Sequence, residues 1–250
     1  MEKIQNLHLM NFGKIYNGIP MICAAILAGG IGERLGLGIP KQFHYISGKP
    51  LLIHCVENFV DVEELDLIIV SSPKEYVDKT KSIINEFFDD SRIHVIEGGI
   101  TRNDTILNSI EFSKECGADK NSIMVTHDGA RIFVSPKLIK DSIHFALKYG
   151  ASSAVIPATD VIFQSKRKGY LSDVPERKYL VHAQTPQAFN IEKFMNIYND
   201  LSKDEIELLD EAMVLFFLRN EEVYLFDGDS SNFKITRPFD LTLAEAFLNK

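Results

Sequence analysis

Apolar and polar positions follow two alternating periods along this chain. Apolar, β-rich runs fall at 21–27, 65–71, 93–97, 122–126 and 153–157. Stretches with helical spacing lie between them, at about 50–60, 74–88, 103–115 and 136–148. Ser135-Pro136 marks the start of the last of these, an N-cap serine with proline at the first helical position. Strands alternating with helices predict an α/β fold, a mostly parallel sheet with helices on both faces. The pattern breaks after Pro157. Residues 159–184 are polar and irregular, with a hairpin tip at Lys166-Arg167-Lys168-Gly169 and a poor helix former at Asp173-Val174-Pro175. This stretch is expected to be a protruding β-arm, about 159–186, that pairs with another subunit. The competing reading is a long loop with no partner. Helices are expected near 191–200 and 204–218, strands at 223–227 and 232–236, and a last helix from about Asp240.

This arrangement is Rossmann-like and fits one domain over 21–250. Residues 1–20 carry only a brief apolar patch near Leu7, Leu9 and Met10 and are expected to be a poorly anchored N-terminal extension. A chain of 250 residues, 45% hydrophobic, has enough apolar content for one sizeable core. Its net charge of -8 argues against a nucleic-acid binder, yet leaves room for an anionic small substrate where cations cluster. No apolar run approaches the ~20 residues of a membrane span. Cys23, Cys55 and Cys116 are widely spaced in apolar segments. They predict core packing in a reducing cytoplasm rather than a disulfide framework or zinc site.

Ligands of such sheets bind at the carboxyl ends of the strands, and the glycines and cations fall there. After the first run come Leu27-Ala28-Gly29-Gly30-Ile31-Gly32-Glu33-Arg34-Leu35 and Pro40-Lys41-Gln42. Glycine lets backbone N–H groups approach phosphate oxygens, and Arg34 and Lys41 supply positive charge. The dinucleotide fingerprint fails because Leu35 occupies its last glycine position, and the P-loop fails because Lys41 lies between Pro40 and Gln42. After the third run comes Gly98-Gly99-Ile100-Thr101-Arg102-Asn103-Asp104-Thr105, and after the fourth His127-Asp128-Gly129-Ala130-Arg131. Three such loops at one sheet edge point to a phosphate-rich ligand. Asp128 reads either as a contact to a magnesium–phosphate assembly or sugar hydroxyls, or as a cap or ion pair with Arg131. His127 reads as a packed neighbour without a chemical role. Lys234, between Phe233 and Ile235, reads on pattern alone as a solvent-facing strand lysine.

Taken together, these motifs resemble the sugar-alcohol-phosphate cytidylyltransferases, which include the D-ribitol 5-phosphate and 2-C-methyl-D-erythritol 4-phosphate enzymes. The resemblance spans 22–249. It rests on Leu27-Ala28-Gly29-Gly30 with Arg34, Pro40-Lys41-Gln42, Gly98-Gly99 with Arg102 and Thr105, and His127-Asp128-Gly129-Ala130-Arg131. Further along, it rests on Gln184-Thr185-Pro186-Gln187, Asp210-Glu211-Ala212 and Asn232-Phe233-Lys234-Ile235-Thr236-Arg237-Pro238. The resemblance implies CTP held by Leu27, Ala28, Gly29 and Gly30, by Gly99, Ile100, Thr101, Arg102, Asn103, Asp104 and Thr105, and by Gly129. It implies Arg34 and Lys41 on the transition state. Lys234 would position the polyol phosphate, with Asp128 and Arg131 near it, joined by Arg177 and Thr185 from the arm of a partner subunit. It further implies magnesium, with Asp128 as the candidate contact, and a homodimer formed through the arm.

Several positions depart from the family pattern. Ile100 stands where the methylerythritol enzymes commonly carry Asp, Val161 and Leu209 stand where Thr is usual, and Ile132 replaces a common Pro. Lost hydroxyls should alter a polyol pocket. The Leu-Ala-Gly-Gly opening, Thr126-His127-Asp128 and the stretch from Ser202 through Lys234 favour D-ribitol 5-phosphate as acceptor. The alternative acceptor is 2-C-methyl-D-erythritol 4-phosphate. Other readings are a transferase using UTP or GTP and a non-catalytic nucleotide-binding regulatory protein on the same scaffold.

Overall fold

The computed structural model describes residues 19–30, 39–202, 205–206 and 212–249. β1 (Ile22–Leu27) is followed, after a 3-10 turn at Lys41–Phe43, by the small hairpin β2 (Tyr45–Ile46) and β3 (Lys49–Pro50). Then come α1 (Leu51–Val60), β4 (Leu67–Ser72), α2 (Val77–Phe87), β5 (Ile93–Glu97), α3 (Arg102–Glu115), β6 (Ile123–Asp128), α4 (Pro136–Tyr149) and β7 (Ala151–Pro157). Beyond the arm lie β8 (Val181–Asn190), α5 (Ile191–Asn199), α6 (Ala212–Leu218), β9 (Tyr224–Asp227) and α7 (Pro238–Leu248).

The main sheet has the order β5-β4-β1-β6-β8-β7-β9. β8 runs antiparallel to both neighbours, and the other pairings are parallel. Strand periodicity sorts the core into two layers. Along β1, Ile22, Ala24 and Ile26 pack with Leu52, Val56 and Phe59 of α1 and with Ile139 of α4. Cys23 and Ala25 face the other way, toward Ile106 and Ile110 of α3, Phe194 of α5 and Phe216 of α6. All three cysteines are buried and free, as packing residues would be. Among the described residues no helix is long and apolar enough to cross a membrane.

The sequence-based elements need correcting in two places. β8 is a central strand within a stretch read as arm, so the excursion runs over 158–180 and is closed at its base by Ala158 N–H on the Leu180 carbonyl (3.0 Å). β8 hides from pattern reading because its middle is polar and contains Pro186, which lacks a ladder N–H. The sheet absorbs this with an irregularity. Between the pairs Ser153–Gln187 and Val155–Ala183, β7 has only Ala154 while β8 has Gln184, Thr185 and Pro186. The second correction is at 232–236, which forms no strand. Its Ile235 N–H bonds the carbonyl of Ala130 in a loop (2.9 Å), so no neighbouring strand is there to extend a ladder. The arm itself has little regular structure, with isolated bridges at Gln164–Asp173 and Arg167–Tyr170. The extension expected at 1–20 lies outside the described residues except for Ile19 and Pro20.

Candidate active site

The strand order places β1 between β4 and β6, so the chain leaves the sheet centre in opposite directions at this point. Crevices form at such switch points. Leu27 at the end of β1 is in register with Ser71 of β4 and Asp128 of β6. The first loop is pinned here on both backbone groups of Ala28. Ala28 N–H donates to Ser71 Oγ (3.1 Å), and the carbonyl accepts from Nε2 of the buried Gln42 (2.8 Å). The second loop packs onto it backbone to backbone: a Cβ on Gly98 would sit 3.3 Å from Gly29 Cα. Gly129 of the third loop closes on the same place, where a Cβ would lie 3.1 Å from Ala28 Cβ. The three glycine loops therefore meet, as their positions at strand ends required.

Side chains in the second loop hold its shape. Thr101 caps α3: its Oγ1 accepts Asp104 N–H (3.0 Å), and Asp104 Oδ2 accepts Thr101 N–H (2.9 Å). Thr105 Oγ1 accepts Gly99 N–H (2.9 Å) and donates to the Thr101 carbonyl (3.0 Å). A Cβ on Gly99 would overlap Asp104, so the glycine is required by close approach. Asn103 is buried and Ile100 fully exposed. Of the residues expected to hold nucleotide, Thr101, Asp104 and Thr105 thus shape the cradle with their side chains.

The charge lies beside this cradle. Asp128 Oδ2 is 3.0 Å from Lys234 Nζ and 3.2 Å from Arg131 Nε, and Oδ1 is 3.9 Å from Arg102 Nε. Burial opposes ionisation of this carboxyl, but Lys234, Arg102 and Arg131 outweigh it and hold its pKa well below the usual carboxylate range. Three cations around one carboxylate leave a local excess of positive charge in a chain that is acidic as a whole. Lys41 joins them, its Nζ donating to the Ile235 carbonyl (3.1 Å) next to Lys234. Lys234 thus lies in no strand, and though its side chain keeps 39% exposure its amine is tied to Asp128. The pattern misled because Phe233 packs on Phe133 and Phe247 while Asn232 and Ile235 are buried in an irregular turn.

A hydrogen-bonded chain fixes the Asp128–Arg131 turn from behind. His127 is fully buried, which pushes its pKa down to about 4 and keeps the ring neutral. Its Nε2 is 2.9 Å from the Arg131 carbonyl, which only accepts, so the proton sits on Nε2. Nδ1 must then accept from the Thr185 hydroxyl (3.0 Å), whose oxygen accepts Asp128 N–H (3.0 Å). Asn232, which no sequence pattern sets apart from its neighbours, closes the circle. Its Nδ2 donates to the Thr185 carbonyl (2.7 Å) and its carbonyl accepts from Arg131 Nη1 (2.9 Å).

Thr185 is gathered at this site, though from β8 of the same chain, whereas Arg177 and Val161 are not. Thr185 is not on the arm but in β8, buried, with its hydroxyl committed within its own subunit. Arg177 lies on the arm, where its Nη1 donates to the Thr159 carbonyl (3.0 Å), and Val161 is exposed on the arm. Arg34, Leu209, Asp210 and Glu211 lie outside the described residues. Asp128 does not fit the part of a magnesium ligand. Its oxygens already face three cations, and no cluster of metal-binding side chains occurs among the described residues.

Comparison with known proteins agrees with this geometry. The model of the IspD family, 2-C-methyl-D-erythritol 4-phosphate cytidylyltransferase, matches residues 22–250. The solved 4-diphosphocytidyl-2C-methyl-D-erythritol synthase of Anaerococcus prevotii is 25% identical with a TM-score of 0.76, over 92% of this chain and 97% of that one. The 2-C-methyl-D-erythritol 4-phosphate cytidylyltransferase of Thermus thermophilus is 25% identical with a TM-score of 0.70, over 92% of this chain and 100% of that one. The Francisella tularensis enzyme, 22% identical with a TM-score of 0.76 over 90% of this chain and 99% of that one, shares the fold. Matched by this family model over nearly all of its length, the chain belongs to the IspD family of CTP-dependent cytidylyltransferases.

Proposed function

We propose that this enzyme transfers CMP from CTP to 2-C-methyl-D-erythritol 4-phosphate, releasing pyrophosphate. The description of the matching family and the names of the 25%-identical solved structures support this acceptor over D-ribitol 5-phosphate, reversing the order expected from the sequence. The observation that carries the reaction type is the cation cluster of Arg102, Arg131 and Lys234 around Asp128, beside glycine loops that a nucleotide can approach.

The chemistry follows from charge. A sugar-alcohol phosphate has a second pKa near 6 and is largely dianionic at neutral pH, so it needs no general base. The buried, neutral His127, with both ring nitrogens bonded, is not placed to act as one. The acceptor phosphate oxygen attacks the α-phosphorus of CTP in line. A new P–O bond forms, the bond from the α-phosphorus to the bridging oxygen breaks, and pyrophosphate leaves with that electron pair. Negative charge gathers on the non-bridging and leaving oxygens, where fixed cations lower the barrier. In this reading Leu27–Gly30, Gly99–Thr105 and Gly129 hold CTP. Lys41 and Arg34 act on the transferred phosphoryl group. Lys234 and Arg131 hold the acceptor phosphate, with Arg177 of the partner subunit. Magnesium arrives as the counter-ion of the triphosphate and not as a ligand of Asp128.

The homodimer belongs to the same proposal. The arm exposes Val161, Phe163, Tyr170, Leu171, Val174 and Tyr179, apolar surface that a second subunit would cover. D-ribitol 5-phosphate remains the second reading, favoured by the Leu27-Ala28-Gly29-Gly30 opening, Thr126-His127-Asp128 and the stretch from Ser202 through Lys234. Parallel assays of pyrophosphate release from CTP and magnesium with each acceptor decide between them. Release with methylerythritol phosphate alone supports the first reading, and release with ribitol phosphate alone replaces it with the second.

A further inference from the structure

The turn that carries Lys234 leaves β9 at Asp227 and enters α7 at Pro238 without pairing to a strand. A side chain of β8 stands in for the missing neighbour. Gln184 is 4% exposed. Its Nε2 donates to the Asp229 carbonyl (2.8 Å) and the Asn232 carbonyl (3.4 Å), and its Oε1 accepts Asp229 N–H (3.2 Å). One carboxamide therefore pairs with both backbone groups of Asp229, as an adjoining strand would.

Gly228 makes the contact feasible. A Cβ there would overlap Gln184 Oε1 and come 3.0 Å from the Val155 carbonyl oxygen, which also accepts Gly228 N–H (2.7 Å). The far side of the turn is tied to the next residue of the same strand, through Asn232 Nδ2 on the Thr185 carbonyl (2.7 Å). Adjacent positions of β8 thus clamp both ends of 229–232, two residues before Lys234. The same strand begins at Val181, where the arm ends.

We propose that Gln184 is a positioning residue: with Gly228 and Asn232 it latches the Lys234 turn onto β8, so that the arm-bearing strand and the acceptor-side lysine move as one unit. The kinetic consequence rests on the cytidylyl-transfer reading; the latch itself does not. Gln184 touches no reacting atom. It acts by keeping Lys234 at the Asp128 cluster, and its hydrogen bonds run to Asp229 and Asn232, not to the 98–105 loop.

The test pairs kinetics with hydrogen–deuterium exchange on the full chain. Gln184→Ala should speed amide exchange over 228–236 and leave 98–105 unchanged. It should lower kcat/KM for the acceptor by about tenfold or more, the scale of losing a buried hydrogen-bonded pair. The Kd for CTP should stay within about threefold, the split expected of an effect confined to one substrate. Gly228→Ala, which drives the carboxamide off its partner, should reproduce both effects. In the double variant it should add less than it does alone, because the carboxamide it overlaps is gone and only the close approach to the Val155 carbonyl remains. Unchanged exchange over 228–236 in both single variants, or full additivity in the double, overturns the latch. If the wild type transfers CMP to no acceptor, the functional reading fails while the exchange data still decide the latch. If Gln184→Ala does not fold, Gly228→Ala carries the same comparison.

Discussion

Lys41 reaches the site through its Nζ, 3.1 Å from the Ile235 carbonyl and one residue along the chain from Lys234. That bond fixes its charge beside the turn that carries Lys234. Lys41→Ala should lower kcat by ~10²-fold or more, the scale of losing one preorganised donor, with an unchanged circular dichroism spectrum. Turnover near wild type would remove Lys41 from the mechanism. His127 makes a prediction of the opposite kind, about stability. Burial holds its folded pKa at about 4, below its unfolded value of roughly 6.5. Between those values the unfolded chain binds the extra proton. Stability from the neutral ring is therefore complete above the unfolded pKa and is lost as pH falls toward the folded one, by up to about 1.4 kcal/mol per unit. Urea midpoints measured from pH 7 to pH 4 should fall more steeply in the wild type than in His127→Gln. Parallel curves would show that this histidine does not titrate on unfolding.

α4 shows a link that was readable in advance. Ser135 Oγ accepts Leu138 N–H (3.2 Å), Pro136 opens the helix, and Gly150 closes it at a positive φ of 91°. Ser135→Ala should cost ~1 kcal/mol in chemical denaturation with kcat unchanged, since the cap lies at the far end of the β6–α4 connection from Asp128. A neutral substitution would mean the cap is replaced by solvent. The parallel strands and the glycine loops at their ends were legible for the same reason, because local patterning and local chemistry agree there. β8 was not. Its polar Gln184 and Thr185 are buried for long-range bonds to 127–128 and 229–232 that no periodicity encodes. Lys234 was misread as a strand residue because its partner, Asp128, is over a hundred positions away in sequence. The motif resemblance, not the pattern, placed it at the site.

The single chain leaves its arm with exposed Phe163, Tyr170 and Tyr179, while Arg177 is turned to the arm's own Thr159. In the proposed homodimer the exchanged arms would cover this apolar surface and bring Arg177 to the neighbouring site. Sedimentation should give a dimer for the wild type. Phe163→Glu should shift it toward monomer and lower turnover together, because each site would lose the partner's Arg177; a fully active monomer would exclude the shared site. The account as a whole stands on cytidylyl transfer driven by the cations around Asp128. The most direct measurement is pyrophosphate release from CTP and magnesium, with and without a polyol phosphate, for the wild type and Lys234→Met, alongside CTP binding to both. The account predicts acceptor-dependent release by the wild type and its loss by ~10²-fold in Lys234→Met, with CTP binding retained. CTP binding without acceptor-dependent release in the wild type, or release undiminished in Lys234→Met, would contradict it.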